Sequence, residues 1–133
     1  MSAILYPAYL RALMNKRIDM ENDTLVGALL DDTYTLDISH SSYVNDISDA
    51  EISIANLVNK NVLDLSNNAT FDADDLTFGG VPNGVTVAGF VIYHDSTKIP
   101  VLFRDDADSM PFVSNGSDVP ISFSNSNIRI FEL

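Results

Sequence analysis

Val85–Phe103 reads VTVAGFVIYHDSTKIPVLF: two apolar runs, Val85–Tyr93 and Ile99–Phe103, joined by the polar turn His94–Lys98. Runs of β-branched and aromatic residues bounded by turn formers are strands, so this stretch predicts a hairpin. Alternation puts Val85, Val87, Val91 and Tyr93 on one face of the first strand, with Thr86, Ala88, Phe90 and Ile92 on the other. Both faces are largely apolar. Such a strand must be covered on both sides, which predicts a central place in its sheet. His94, at the hairpin tip, is expected in solvent.

Around this hairpin the chain has 133 residues, enough for one domain with a real core. Its 46% apolar content belongs to a folded protein rather than a disordered one. Nineteen acidic residues against seven basic ones give a net charge of −12. Binding nucleic acid through phosphates needs clustered Lys and Arg, so that class is excluded, and anionic membranes are disfavoured on the same ground. There is no cysteine, which removes disulfides, thiolate metal sites and Cys nucleophiles. No apolar run approaches the length of a membrane-spanning helix. The opening MSAILYPAYLRALMNKR is apolar first and basic afterwards, the reverse of a secretory signal. A soluble chain that needs no oxidising compartment is expected.

In chain order, Ala8–Ile18 is the best helix candidate. Pro7 suits a helix start, and Leu10, Leu13, Met14 and Ile18 recur at roughly helical spacing, with Tyr6 one turn before. Arg11, Lys16 and Arg17 are placed in or near the last turns, where cations meet the negative end of the helix dipole. Two readings fit this segment: an amphipathic helix packed on a β core, or a basic docking arm for an acidic surface. Thr24–Leu30 reads as a strand ended by Asp31–Asp32, and Gly27 within it suggests close approach of another backbone. Tyr34–Asp46 reads as a long loop with one turn of helix. Ser48–Lys60 is ambiguous, because Ser48 and Glu51 match a capping box while Ile52 and Ile54 alternate as in a strand. Val62–Leu65 is a short strand, Asn67–Asn68 a turn, and residues 79–84 (GGVPNG) a loop. Ile121–Ser124 and Ile128–Leu133 are two further strands separated by the turn Asn125–Asn127. Short strands at regular spacing predict a mainly β chain: a single β-sandwich or barrel-like domain over 1–133, with a short N-terminal α-helix over about 6–18 and a β core over about 24–133.

Catalytic chemistry finds little support. His40 lies beside Ser41, Ser42 and Asp46, but sequence neighbours do not make a triad, and no G-x-S-x-G elbow is present. Asp72, Asp74 and Asp75 form one acidic cluster, and Asp105, Asp106 and Asp108 another. Calcium takes oxygen ligands of this kind, yet neither cluster has the EF-hand spacing with its closing Glu, and both read as solvated loop charges. Paired carboxylates could also serve glycoside hydrolysis, but such sites usually need an aromatic sugar platform, and the chain has no Trp. Gly79-Gly80 and Asn83-Gly84 lack a nucleotide-binding pattern. No catalytic residue, cofactor or metal ligand is assigned, and an enzyme is not expected.

The order of several segments resembles a group of small virion proteins of tailed bacteriophages. Those proteins begin with a short helix followed by a segment of the type I-D-x-x-x-D-T-x-x-x-A-L-x-D-x-x-Y, here Ile18–Tyr34. They then carry F-D-A-D-D-x-T, matched by Phe71–Thr77, and a strand ending in V-I-Y, matched by Val91-Ile92-Tyr93. They close with S-N-G, matched by Ser114-Asn115-Gly116, and an I-F-x-L end, matched by Ile130-Phe131-Glu132-Leu133. The chain departs from the group between Ser48 and Lys60, where the others are Gly-rich and this one has no Gly. The likeness tilts Ser48–Lys60 towards a strand.

What the resemblance implies is a structural part of the virion, assembled in the cytoplasm of a bacterial host and without catalytic residues. A capsid decoration or cement protein is the first expectation, with the major capsid protein or other virion proteins as partners and a homo-oligomer, a trimer at three-fold joints, as its form. A neck, tail or fibre-base part is the second. A host-surface binding module using the Tyr34–Tyr43 and Asp105–Met110 loops is the third. Tyr6, Tyr9, Arg11, Lys16, Arg17 and Tyr43 are the expected partner-binding residues.

Overall fold

The computed structural model describes residues 4–65, 68–105, 110–122 and 131–132. The chain runs through β1 (Ile4–Leu5), α1 (Pro7–Met14), β2 (Leu25–Leu30), α2 (Tyr43–Asp46), β3 (Glu51–Asn56), β4 (Asn61–Leu65) and β5 (Asn68–Asp72). It continues through β6 (Leu76–Phe78), β7 (Thr86–Val87), β8 (Gly89–His94), β9 (Pro100–Arg104), β10 (Phe112–Val113), β11 (Val119–Ile121) and β12 (Phe131–Glu132). All pairings are antiparallel. The expected mainly β chain with a short N-terminal helix is what forms.

β8 stands third in a five-stranded sheet of order β1-β9-β8-β2-β3. Every residue of β8 and of its neighbour β2 is buried. The alternation of each strand feeds two cores. Leu25, Leu29, Phe90, Ile92 and Leu102 enter a larger cluster with Tyr9 and Ala12 of α1, Phe71, Phe78 and Ile121. Val26, Ala28, Leu30, Val91, Tyr93 and Phe103 enter a smaller one with Tyr6, Tyr43, Ile47 and Ala50. Burying one such large side chain stabilises the fold by roughly 1.5–3 kcal/mol, so the central sheet is held from both sides. Smaller pairs complete the structure: β10 with β7, β11 with β6, and β12-β5-β4.

The hairpin is present, with one correction to its first strand. The run Val85–Tyr93 is broken at Ala88: β7 pairs with β10, whereas β8 pairs with β2 and β9. The break shifts the alternation by one residue, so Val87 joins Phe90 and Ile92 rather than Val91 and Tyr93. Gly27 does mark a close approach, but of side chains rather than backbone. A Cβ there would lie 2.8 Å from Leu76 Cδ1 and 2.9 Å from Phe90 Cε1.

Helix α1 ends at Met14, four residues short of the expected Ile18. Arg17 N–H donates to the Ala12 carbonyl and Lys16 N–H to that of Leu13, with Lys16 at φ +61°. This is the Schellman stop usually made by Gly, so a Lys in that place hides the helix end in the sequence. Only Arg11 lies in the last helical turn; Lys16 and Arg17 follow it. Tyr9 and Ala12 form the buried face, while Met14, expected inside, is 78% exposed.

The ambiguous Ser48–Lys60 resolves towards the strand, and the capping box does not form, since Ser48 Oγ donates to the Val44 carbonyl and Glu51 begins a strand. Residues Ser48–Ala50 form a 3-10 turn without a side-chain cap, and β3 follows from Glu51. Val62 N–H donates to Glu21 Oε2 at 3.0 Å, tying the β4–β5 hairpin to the loop after α1. Within the expected turn Asn67–Asn68, Asn68 already belongs to β5 and Asn67 lies outside the described residues. The strand expected at Ile121–Ser124 is displaced: the observed one is Val119–Ile121, Ser122 is not in a strand, and Phe123 and Ser124 lie outside the described residues. Of the strand expected at Ile128–Leu133, Phe131–Glu132 is observed, and Leu133 lies outside the described residues. The turn Asn125–Asn127 and residues Ile128–Ile130 lie outside the described residues.

Candidate partner surface and histidine clusters

The six residues expected at a partner surface divide by burial. Tyr6, Tyr9 and Tyr43 are 0%, 1% and 2% exposed, so their rings cannot meet a partner in the folded chain. Burial first of all holds all three phenols well above their ordinary pKa. Tyr43 stacks on Tyr93 at 3.9 Å between ring centroids, and its hydroxyl donates to Glu51 Oε1 at 2.6 Å. It is an anchor between α2 and the central hairpin, which its N–H also reaches through the Lys98 carbonyl at 2.7 Å.

Arg11, Lys16 and Arg17 are exposed. With exposed Met14 they lie along α1 and its terminating turn. Arg11 lines a groove with Pro7, Ala8, Ile38, Ser39 and Ser41, whereas Tyr9 and Leu13, on the opposite side of the helix, line an apolar hollow of about 80 Å³ with Met20, Val62, Ala69, Thr70 and Phe71. Val62, at its rim, is 49% exposed. Three of the seven cations of a chain with net charge −12 are thus gathered on α1 and the turn that ends it, with exposed Met14 among them. Sequence reasoning found the cations. It missed Met14 and the hollow, because Met14 was assigned to the core and the hollow's wall comes from β4 and β5, remote in the chain.

His94, expected in solvent, is 3% exposed. Its Nδ1 lies 2.7 Å from Thr97 Oγ1 and its Nε2 2.8 Å from Asp23 Oδ2. Thr97 sits in the hairpin turn, where Lys98 adopts φ +60°. Asp23 precedes β2 and also accepts the Asp19 N–H at 2.9 Å. The imidazole is therefore a strut between the loop after α1 and the central hairpin. The order hydroxyl–imidazole–carboxylate is that of a catalytic relay, but the ring is sealed from solvent and satisfied on both nitrogens, so it serves packing. A partner 71 residues away carries no local signal.

The Asp19 N–H and, after it, His94 hold the Asp23 carboxyl below its ordinary pKa. Such a group adds stability above the unfolded value near 3.8, and loses it as pH falls through the lower folded value. Urea titrations of wild type and Asp23→Asn from pH 6 downward should therefore show the wild-type advantage shrinking below about pH 4. An advantage constant across that range would show that these hydrogen bonds do not favour the ionised Asp23 carboxyl.

His40 is half-buried, and its Nδ1 lies 2.9 Å from Tyr34 Oη. Ser41 and Ser42 do not approach it as nucleophiles: their N–H groups donate to Asp46 Oδ2, each at 3.1 Å, and Ser42 caps α2. Asp72 is half-buried at the end of β5, and Asp74 and Asp75 are exposed, with Asp74 accepting from Asn59 Nδ2 at 2.6 Å. Asp105 is exposed; Asp106 and Asp108 lie outside the described residues. Among the described residues no group of three His, Asp or Glu is placed to hold a metal ion.

No known protein family, curated protein or solved structure matches this chain.

Proposed function

We propose that this chain is a structural protein of a tailed-bacteriophage particle, a decoration protein that binds the head shell in many copies through the major capsid protein. Its work in this reading is protein–protein contact rather than catalysis. The observation that carries it is the α1 surface: Arg11, Lys16 and Arg17 with exposed Met14, on one helix and the turn that ends it. An acidic, apolar-rimmed site on a shell subunit would complement it, the cations steering and the apolar atoms adding affinity. The rest of the acidic surface opposes unspecific association between copies. The likeness of Ile18–Tyr34, Phe71–Thr77, Val91–Tyr93, Ser114–Gly116 and Ile130–Leu133 to small phage virion proteins supports the virion setting.

Decoration stabilises a shell because each bound copy favours the assembled state by mass action. Particles lacking the protein should break at lower temperature or under milder osmotic shock, and adding purified protein should restore them. Stained gels of purified particles should show hundreds of copies. A ring-sized number of six or twelve, with normal heads and failed tail attachment, would move the protein to the neck or tail instead.

A further inference from the structure

Two of the six glycines follow an asparagine, in Asn83-Gly84 and Asn115-Gly116. Contact through α1 uses neither pair. In an Asn-Gly pair no side chain shields the glycine nitrogen, which can add to the asparagine side-chain carbonyl and close a cyclic imide. The fold sets the two pairs side by side, so that a Cβ at Gly116 would lie 3.6 Å from Asn83 Cβ. Both asparagines are exposed, so access to water does not separate them. What separates them is the hold on the attacking nitrogen.

Gly84 N–H donates to the Ser114 carbonyl at 2.8 Å, and Val85 N–H to Ser114 Oγ at 3.0 Å. Ser114 Oγ donates in turn to the Pro82 carbonyl, and Ser114 N–H to that of Val85. One serine, 4% exposed, thus ties the backbone on both sides of Asn83. Carrying Gly84 N to the Asn83 side chain would break its bond to Ser114. At the second pair, Gly116 N–H has no hydrogen-bond partner among the described residues. The side chain there is also aimed. Ser117 N–H donates to Asn115 Oδ1 at 3.0 Å, which folds the amide back over the Gly116 peptide. That N–H polarises the carbonyl and stabilises the negative charge that gathers on Oδ1 as the Gly116 nitrogen adds. Gly116, at φ +85°, has the backbone freedom to make the approach.

We propose that Asn115 is a site of spontaneous deamidation. Gly116 N gives its proton to water or hydroxide and bonds to Asn115 Cγ; the Cγ–Nδ2 bond breaks, and Nδ2 leaves as ammonia. Water then opens the imide at either carbonyl, giving aspartate or isoaspartate. Water is consumed and ammonia released, and nothing is oxidised or reduced. The new carboxylate stands with Asp118 at a concavity lined also by Phe112 and Val113. Isoaspartate moreover routes the backbone through Cγ, directly after the Ser114 clamp. The proposal makes no use of α1, so its failure would leave the decoration reading untouched.

The test is peptide mapping by mass spectrometry of the full chain, incubated folded at mildly alkaline pH and in parallel in guanidinium chloride. In the folded chain Asn115 should convert roughly tenfold faster than Asn83, as one hydrogen bond broken on the way to attack implies. In guanidinium chloride, where no clamp exists, the two rates should converge. Equal rates in the folded chain, or faster conversion at Asn83, would overturn the proposal. So would an Asn115 rate that drops on folding as much as that of Asn83. A ratio that persists in the denaturant would also overturn it, since the difference would then belong to the sequence neighbours and not to the fold.

Discussion

Ile92→Asp should yield no folded protein. Ile92 is fully buried at the middle of β8, with β2 on one side and β9 on the other. Its side chain enters the larger core, where no described cation is buried to meet a carboxylate. An unpaired buried charge costs several kcal/mol even after it takes up a proton, against a total stability of about 5–15 kcal/mol for a domain. Circular dichroism and soluble yield are the readouts. Ser96→Asp, in the exposed hairpin turn, should fold normally as a control. A soluble, native-like Ile92→Asp would remove β8 from the centre of the fold.

Phe90→Ala should fold but lose about 3–5 kcal/mol. The ring is 0% exposed and meets Phe78 of β6 edge-on, with centroids 6.1 Å apart at 73°. It also fills the space that Gly27 leaves open. Removing it opens a cavity between the central sheet and the β6–β11 pair, and both walls are fixed by strand hydrogen bonds and cannot collapse far. The midpoint of urea unfolding should fall with the slope unchanged. A loss below about 1.5 kcal/mol would mean that the two layers are not packed through this ring.

Particular residues show how far the sequence could be read. The β8–β9 hairpin, the central place of β8 and the strand at Thr24–Leu30 follow from local periodicity and turn formers, and all are present; the one turn of helix expected within Tyr34–Asp46 forms at its end, as Tyr43–Asp46. The helix end was not legible, because Lys16 occupies a position usually marked by Gly. The alternation across Ala88 failed because the chain changes strand partners there, and periodicity assumes one partner throughout. Tyr6, Tyr9, Tyr43 and His94 were misplaced for a shared reason. Each has a polar tip that suggests the surface; Tyr6 meets Tyr34, Tyr43 meets Glu51, and His94 meets Thr97 and Asp23, so the rings are buried while their tips bond to less buried neighbours. The Tyr6–Tyr34 and Asp23–His94 pairings join residues 28 and 71 apart in the chain and leave no spacing to detect. The cations of the proposed partner surface were legible as charges; the hollow lined by Tyr9 and Leu13 was not, since its other wall comes from β4 and β5.

The most direct measurement of the proposed role is a side-chain-resolution cryo-EM map of the particle. Many copies on the outer shell, with Arg11, Met14, Lys16 and Arg17 turned into acidic and apolar surface of the major capsid protein, are the expected result. Absence from the particle, or density confined to the neck or tail with α1 facing solvent, would contradict it.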